Sequence, residues 1–236
     1  MRVLGIETTT GVASVGFISA DEVCSERVAP LSGNHARTLL PLIETVLEAG
    51  GADLDSVDLL AVSIGPGSFT GLRIGLSVAK GLALAAGRPI RGVPTLEAYA
   101  RAAGPRAGLV CPVLDARKGE VYGAIFRWSE DELVCQAPGA ALTPAQFGAR
   151  IEGPCTLVGD GVDAYADLWS TQLGSRATLV RFADLPPSGV VVARMGVALA
   201  RSHGTDDLAL LEPVYCRLSE AEVQRGRRQV AGVWKN

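Results

Sequence analysis

Histidine is nearly missing from this chain: among 236 residues only His35 and His203 occur. A triad built on imidazole would have to use one of those two, and neither stands in an evident Ser/His/Asp or Cys/His motif. An excess of basic charge is missing too. Lysine and arginine total 22 against 25 aspartates and glutamates, a net charge of −3, so the chain as a whole is not a polyanion binder. Aromatic residues make up 5%, and Trp128, Trp169 and Trp234 stand singly, which leaves no basic-aromatic run for stacking unpaired bases. The five cysteines (Cys24, Cys111, Cys135, Cys155, Cys216) are odd in number and widely spread, neither a disulfide framework nor a zinc pattern, and read as buried reduced thiols. No uninterrupted apolar run reaches the roughly 18 residues that cross a bilayer, and MRVLGIETTT enters a strand pattern with no signal peptide, so a cytoplasmic protein without a membrane partner is expected. Both standard phosphate motifs are absent. Gly65, Gly67 and Gly71 follow G-x-G-x-x-x-G, one residue too long for the dinucleotide fingerprint, and no G-x-x-x-x-G-K-[ST] occurs.

What the chain does contain is organised around Asp58 to Gly87, DLLAVSIGPGSFTGLRIGLSVAKGLALAAG. The apolar run Leu59 to Ile64 has strand length, Gly65-Pro66-Gly67 makes a tight turn, and helical spacing follows, with Ser68 or Thr70 as the cap. Gly71 and Gly75 fall on one helical face, where missing side chains let another backbone come close. Two readings of the loop stand side by side: an amide-rich turn that holds an anion such as a nucleotide phosphate, or simply a tight strand-to-helix connection.

From Val3 to Ala29 the pattern gives three strands, with a Thr8-Thr9-Thr10-Gly11 turn after the first. Asn34 can cap a helix from His35 to Ala49 whose stripe is Leu39, Leu42, Ile43, Val46 and Leu47. A strand past Pro89 and a helix capped at Thr95 lead to Gly104-Pro105, where a second series begins. A shift of 108 residues lays Leu114-Asp115 over Ile6-Glu7 and Gly119 over Gly11. A shift of 94 lays Val158-Gly159-Asp160-Gly161 over Ile64-Gly65-Pro66-Gly67. Two matches in the same order point to a duplicated strand-rich α/β unit of the actin-like, sugar-kinase-like ATPase class, with a cleft between two lobes. The expected division is an N-terminal lobe over 1–104, a C-terminal lobe over 105–218, including a helix from Val190 to His203 followed by EPVYCR, and a polar Arg-rich tail over 219–236. Glu7, Thr8, Thr9, Thr10, Gly65, Pro66, Gly67, Asp115, Gly159 and Gly161 would line the cleft. A free-standing ATPase or sugar kinase is therefore one reading.

IETTTGVASVGF, NHARTLLPLI, GPGSFTGLRIG, LDARKGEVY and LLEPVYCR together resemble the bacterial TsaB (YeaZ) family, a subunit of the machinery that makes threonylcarbamoyladenosine in tRNA. The resemblance implies a two-lobed actin-like fold, a heterodimer with the related transferase TsaD and a ternary complex with the ATPase TsaE. It also implies a noncatalytic role, with the cleft vestigial, no cofactor of its own, and ATP and Mg or Zn carried by the partner subunits. TsaD-like proteins hold metal through His-x-x-x-His on a helix, and here Leu39 follows His35 at the second position, which argues against a glycoprotease-like metalloenzyme. Glu7 is one methylene longer than the aspartate of many members. The expected partner interface is Leu39, Leu42, Ile43 and Val46 with Gly71, Leu72, Gly75, Leu76 and Ala79, a surface that could also form a homodimer when the partner is missing. Gly75→Leu is then expected to block docking and spare the fold. Contact with tRNA is expected to be indirect, the basic cluster Arg225 to Arg228 assisting only weakly.

Overall fold

In the computed structural model, which describes residues 1–31 and 35–216, the chain builds the same sheet twice. Strands β1 (Arg2–Glu7), β2 (Val12–Ser19) and β3 (Glu22–Pro30) form an antiparallel meander, and β4 (Leu59–Gly65) and β5 (Ile90–Pro94) join parallel to β1, giving the order β3-β2-β1-β4-β5. The second set is β6 (Leu109–Arg117), β7 (Glu120–Ser129), β8 (Glu132–Leu142), β9 (Cys155–Val158) and β10 (Ala177–Leu179), ordered β8-β7-β6-β9-β10. Position for position the two orders coincide. The duplication inferred from the 108- and 94-residue offsets is therefore architectural, and Gly65 and Gly159, matched by the second offset, both adopt positive φ (119° and 107°).

Because β1 and β4 are covered on both faces, they read as near-continuous apolar runs rather than alternating ones. On one face Leu4, Ile6, Leu60 and Val62 meet α1 (His35–Ala49) and α2 (Phe69–Ala86) through Leu39, Ile43, Leu76 and Ala79. On the other face Val3, Leu59 and Ala61 meet Val190, Ala193 and Val197 of α7 (Gly189–His203). Helix α3 (Thr95–Ala102) follows β5 and packs Leu96 and Tyr99 on Val110, Leu114 and Val158 of the second sheet. The far face of that sheet is covered by α4 (Pro144–Gly148), α5 (Asp160–Ala164) and α6 (Ala166–Leu173), with Trp169 at its centre.

Helix α7, expected with the second lobe, packs on the first sheet. Residues 1–104 and α7 thus share a core, and a single cut at 104/105 does not divide the chain. The reason is a contact between backbones. Gly5 and Gly16 are register partners on β1 and β2, and a β-carbon on either would collide with the backbone of Gly189 or Val190. Glu26 on β3 holds the approaching end: its Oε1 accepts from Ser188 Oγ (2.8 Å) and Val190 N (3.0 Å). An acceptor at the first turn satisfies amides that no helical carbonyl can reach.

Other expectations shift in detail. Ser68 caps α2, its Oγ accepting from Gly71 N, whereas the Thr95 hydroxyl turns away from its own helix to accept from Gly65 N (3.0 Å). Residues 212–216 run as a strap tied to the end of β4 by Val214 N to Ile64 O (2.7 Å). All five cysteines are free thiols, yet Cys24 and Cys135 are exposed, because both lie on outer strands of their sheets. Helix α2 is by length and composition apolar enough to cross a membrane, but it carries Arg73 and Lys80 and packs on β4 and α1. Asn34 and the tail over 219–236 lie outside the described residues.

The glycine contact gives the first prediction. Gly5→Ala or Gly189→Ala should cost about 3 kcal/mol or abolish folding, since the obstacle is backbone that cannot rotate away. Gly81→Ala, on the open side of α2, should be neutral or up to about 1 kcal/mol stabilising. Urea unfolding of the three variants measures both, and equal midpoints would refute the assignment.

Candidate functional site

The Gly65-Pro66-Gly67 loop is filled by the chain itself. Ser68 N donates to Thr9 O at 2.7 Å, and Thr8 Oγ1 donates to Gly71 O at 2.8 Å. A β-carbon on Gly67 would come within 2.5 Å of Thr9 Cβ, and one on Gly71 or Gly75 would strike Thr8. The threonine turn after β1 therefore sits in the cradle that the glycines open, and the amides of Gly65, Ser68 and Gly71 are already used. In this arrangement the loop serves as the connection from β4 to α2.

Glu7 lies under this turn, 1% exposed. Its Oε1 accepts from Thr9 N (2.5 Å) and its Oε2 from Ser63 Oγ. Burial pushes its pKa up, more than the Ser63 and Thr9 hydrogen bonds pull it down, and the Asp160 charge adds to the rise. Tyr99, from α3, closes the cleft from above. Burial first and the Glu7 charge second push its phenol well above the usual range, and neither its hydroxyl nor Thr9 Oγ1 finds a partner among the described residues. The crevice that Glu7 shares with Tyr99, Pro187 and Ser188 is too narrow to admit water.

The second repeat supplies the other wall. Asp160 Oδ1 accepts from Asp115 N at 2.9 Å, and Asp115 pairs with Arg117 at 3.1 Å. Gly159 and Gly161 press on the carbonyl of Val113, so they serve packing as Gly65 and Gly67 do. The structure thus brings Glu7, Thr8, Thr9, Gly65, Pro66 and Gly67 together and sets Asp115 and Asp160 opposite. Among the described residues no group of three or more His, Cys, Asp or Glu side chains could hold a metal. In this closed arrangement Glu7 has both oxygens engaged, by Thr9 N and by Ser63 Oγ.

The residues expected to bind a partner are mostly core. Leu39, Ile43, Val46, Leu72, Leu76 and Ala79 are each at most 5% exposed, because the longest apolar stripe of α1 and of α2 faces the sheet; Leu42 is half-buried. Gly71 and Gly75 receive Thr8 rather than another protein. Gly75→Leu would break the fold before it tested docking. The outward sides of these helices carry other residues: Leu40 (44% exposed), Leu84 (73%) and Phe69 (38%). Arg73 lies 3.8 Å over the Phe69 ring and donates from Nε to Tyr215 OH at 3.1 Å. Sequence reasoning missed Tyr99, Ser63 and Tyr215. No periodicity marks them, although Tyr99 sits one turn after Thr95, whose hydroxyl reaches the same loop.

Residues 28–225 match the family model described as TsaD, tRNA N6-adenosine threonylcarbamoyltransferase. The tRNA threonylcarbamoyladenosine biosynthesis protein TsaB of Escherichia coli strain K12 is 32% identical over 227 residues, covering 92% of this chain and 95% of the relative. The Bacillus subtilis strain 168 protein of the same name is 27% identical over 95% of this chain and 97% of its own length. Among solved structures, YeaZ from Pseudomonas aeruginosa superposes with a TM-score of 0.74 at 27% identity, covering 91% of this chain and 99% of that one. Component A of (R)-2-hydroxyglutaryl-CoA dehydratase from Acidaminococcus fermentans, at 10% identity and a TM-score of 0.55, shares the actin-like fold alone.

Asp160 offers a test by pH. Burial first, and the Asp115 charge with it, push its pKa from 3.8 to about 6. The folded state prefers the protonated acid, so this group's stabilisation is complete below about pH 4 and is lost as pH rises through 6. Asp160→Asn keeps an oxygen for Asp115 N and removes the charge. It should be more stable than the parent by about 2–3 kcal/mol at pH 7.5, with the gap shrinking to about 1 kcal/mol at pH 4.5 and closing by about pH 3. Urea titrations at these pH values decide this; a gap independent of pH would refute it.

Proposed function

The chain belongs to the TsaB (YeaZ) family of tRNA threonylcarbamoyladenosine biosynthesis proteins, and on that premise we propose that it serves as the noncatalytic subunit that docks TsaD. The observation that carries this reading is the outer side of α2. Its buried side is satisfied by the sheet, yet Leu84 stands 73% exposed and Gly81 meets nothing within 4 Å. Together they make an apolar surface with a gap into which a partner helix can approach closely.

In this reading the cleft of Glu7 is vestigial. Transfer of the threonylcarbamoyl group to the adenosine 3′ of the anticodon, in tRNAs reading codons that begin with A, takes place on TsaD. ATP and Mg or Zn belong to TsaD and TsaE, and TsaE joins as a third subunit. The acidic net charge leaves tRNA recognition to the partner. The basic cluster Arg225 to Arg228, which lies outside the described residues, assists at most. The complex works in the cytoplasm, and without TsaD the same α2 surface pairs two copies of this chain.

Gly81→Leu should abolish co-purification with TsaD while leaving the melting temperature unchanged or raised, since leucine is the better helix former. Retained co-purification with the fold intact would remove the docking surface from consideration. Depleting the chain from cells should eliminate threonylcarbamoyladenosine from bulk tRNA, read by nucleoside mass spectrometry. The purified chain should turn over no ATP with magnesium. Steady turnover lost on Glu7→Ala, in preparations free of TsaE, would favour the free-standing ATPase instead.

A further inference from the structure

A groove of about 430 Å³ opens where α3, β7 and α7 meet, and it shares no lining residue with the crevice at Glu7 or with the outer side of α2. Its walls come from both repeats. Trp128 of β7 forms one side, and Met195, Ala198 and Leu199 of α7 form the other. Two guanidinium groups border it. Arg101 is paired with Glu97 at 2.9 Å, while Arg194 makes a 3.3 Å bond to the backbone oxygen of Asp21. In a chain of net charge −3, two arginines against one glutamate make a locally cationic rim around an apolar floor.

We propose that this groove binds a small amphipathic organic anion, its carboxylate or sulfonate against Arg194 and Arg101 and its apolar body between Trp128 and Leu199. The size argues for a small molecule: sites for single ligands span roughly 300–1,000 Å³, whereas a protein partner needs a broad surface. The charge argues for an anion, because a guanidinium fork matches the oxygens of a carboxylate or sulfonate. The exposed flank of α7 argues for an apolar body. Ala198 faces outward beside half-buried Leu199, apolar surface that the sheet does not cover. Since Trp128 belongs to the second sheet and α7 to the first, an occupant would bridge the two repeats and hold α7 against β7. This assignment is independent of docking to TsaD.

The probe is 8-anilinonaphthalene-1-sulfonate, titrated into the full chain and followed by its own emission and by energy transfer from tryptophan. Saturable binding of one equivalent is expected, displaced by decanoate but not by decanol at the same concentration. Ala198→Trp, which fills the groove, and Arg194→Glu, which reverses a rim charge, should each weaken binding about tenfold or more. Both positions are exposed, so far-UV circular dichroism should be unchanged. Trp128→Phe should reduce the energy transfer. Absence of saturable binding up to about 1 mM, or unchanged affinity in whichever of the two groove variants keeps its native spectrum, would overturn the site. Equal displacement by decanol would overturn its anionic character.

Discussion

The architecture depends on one contact in which backbone lies against backbone. Gly5 and Gly16 stand side by side on β1 and β2, and the first turn of α7 rests on them through Gly189 and Val190. No side chain fits there. The helix can therefore approach closely enough for Ser14 Oγ to accept from Gly189 N (2.9 Å) and for Glu26 to accept from Val190 N. Packing of Val3, Leu59 and Ala61 against Val192, Ala193 and Val197 follows from that approach, as does the near-continuous apolar character of β1. Helix α7 thereby closes the first sheet, and the two repeats cannot be pulled apart as separate lobes without exposing this face.

The same device recurs at the cleft with the opposite consequence for chemistry. Glycines in a strand-to-helix loop commonly make room for a phosphate. Here the room at Gly67, Gly71 and Gly75 is taken by Thr8 and Thr9 of the same chain. The hydrogen bonds that would reach a ligand reach Thr9 O and Ser68 Oγ instead, and Glu7, beneath the turn, gives both oxygens to Thr9 and Ser63. A nucleotide would have to lift the turn off the loop, break these bonds and move Tyr99. Among the described residues the hydroxyls of Tyr99 and Thr9 are buried there without a partner.

Much of the fold was legible in the residues, and for identifiable reasons. Strand length, Gly-Pro-Gly and the helical run from Phe69 fixed β4, its turn and α2, and two sequence offsets exposed the duplication because each repeat needs an acid after its first strand and glycines after its fourth. What was not legible is which side of a helix is free. Leu39, Ile43 and Val46 form the longest stripe on α1, and so they are buried in the chain's own core. Periodicity finds the core face. The outward sides of these helices carry no such stripe, only single exposed apolar residues such as Leu40 and Leu84. Long-range pairings were equally hidden: nothing local says that Glu26 reaches Ser188 or that Arg73 meets Tyr215.

Helix α2 shows how one segment can serve both demands. Its inward glycines, Gly71 and Gly75, are closed over by Thr8, whereas Gly81, two turns on and rotated outward, has no neighbour at all. A glycine inside a helix costs about 1 kcal/mol relative to alanine, so each needs a compensating contact. Gly71 and Gly75 have theirs within the chain. Gly81 has none in the isolated molecule, and Leu84, one turn further, is likewise left in water. In the proposed complex, the surface that covers this outward glycine and exposed leucine supplies the contact that the isolated helix lacks. The proposed docking surface is therefore Gly81 with Leu84 rather than the longer and more hydrophobic stripe behind them.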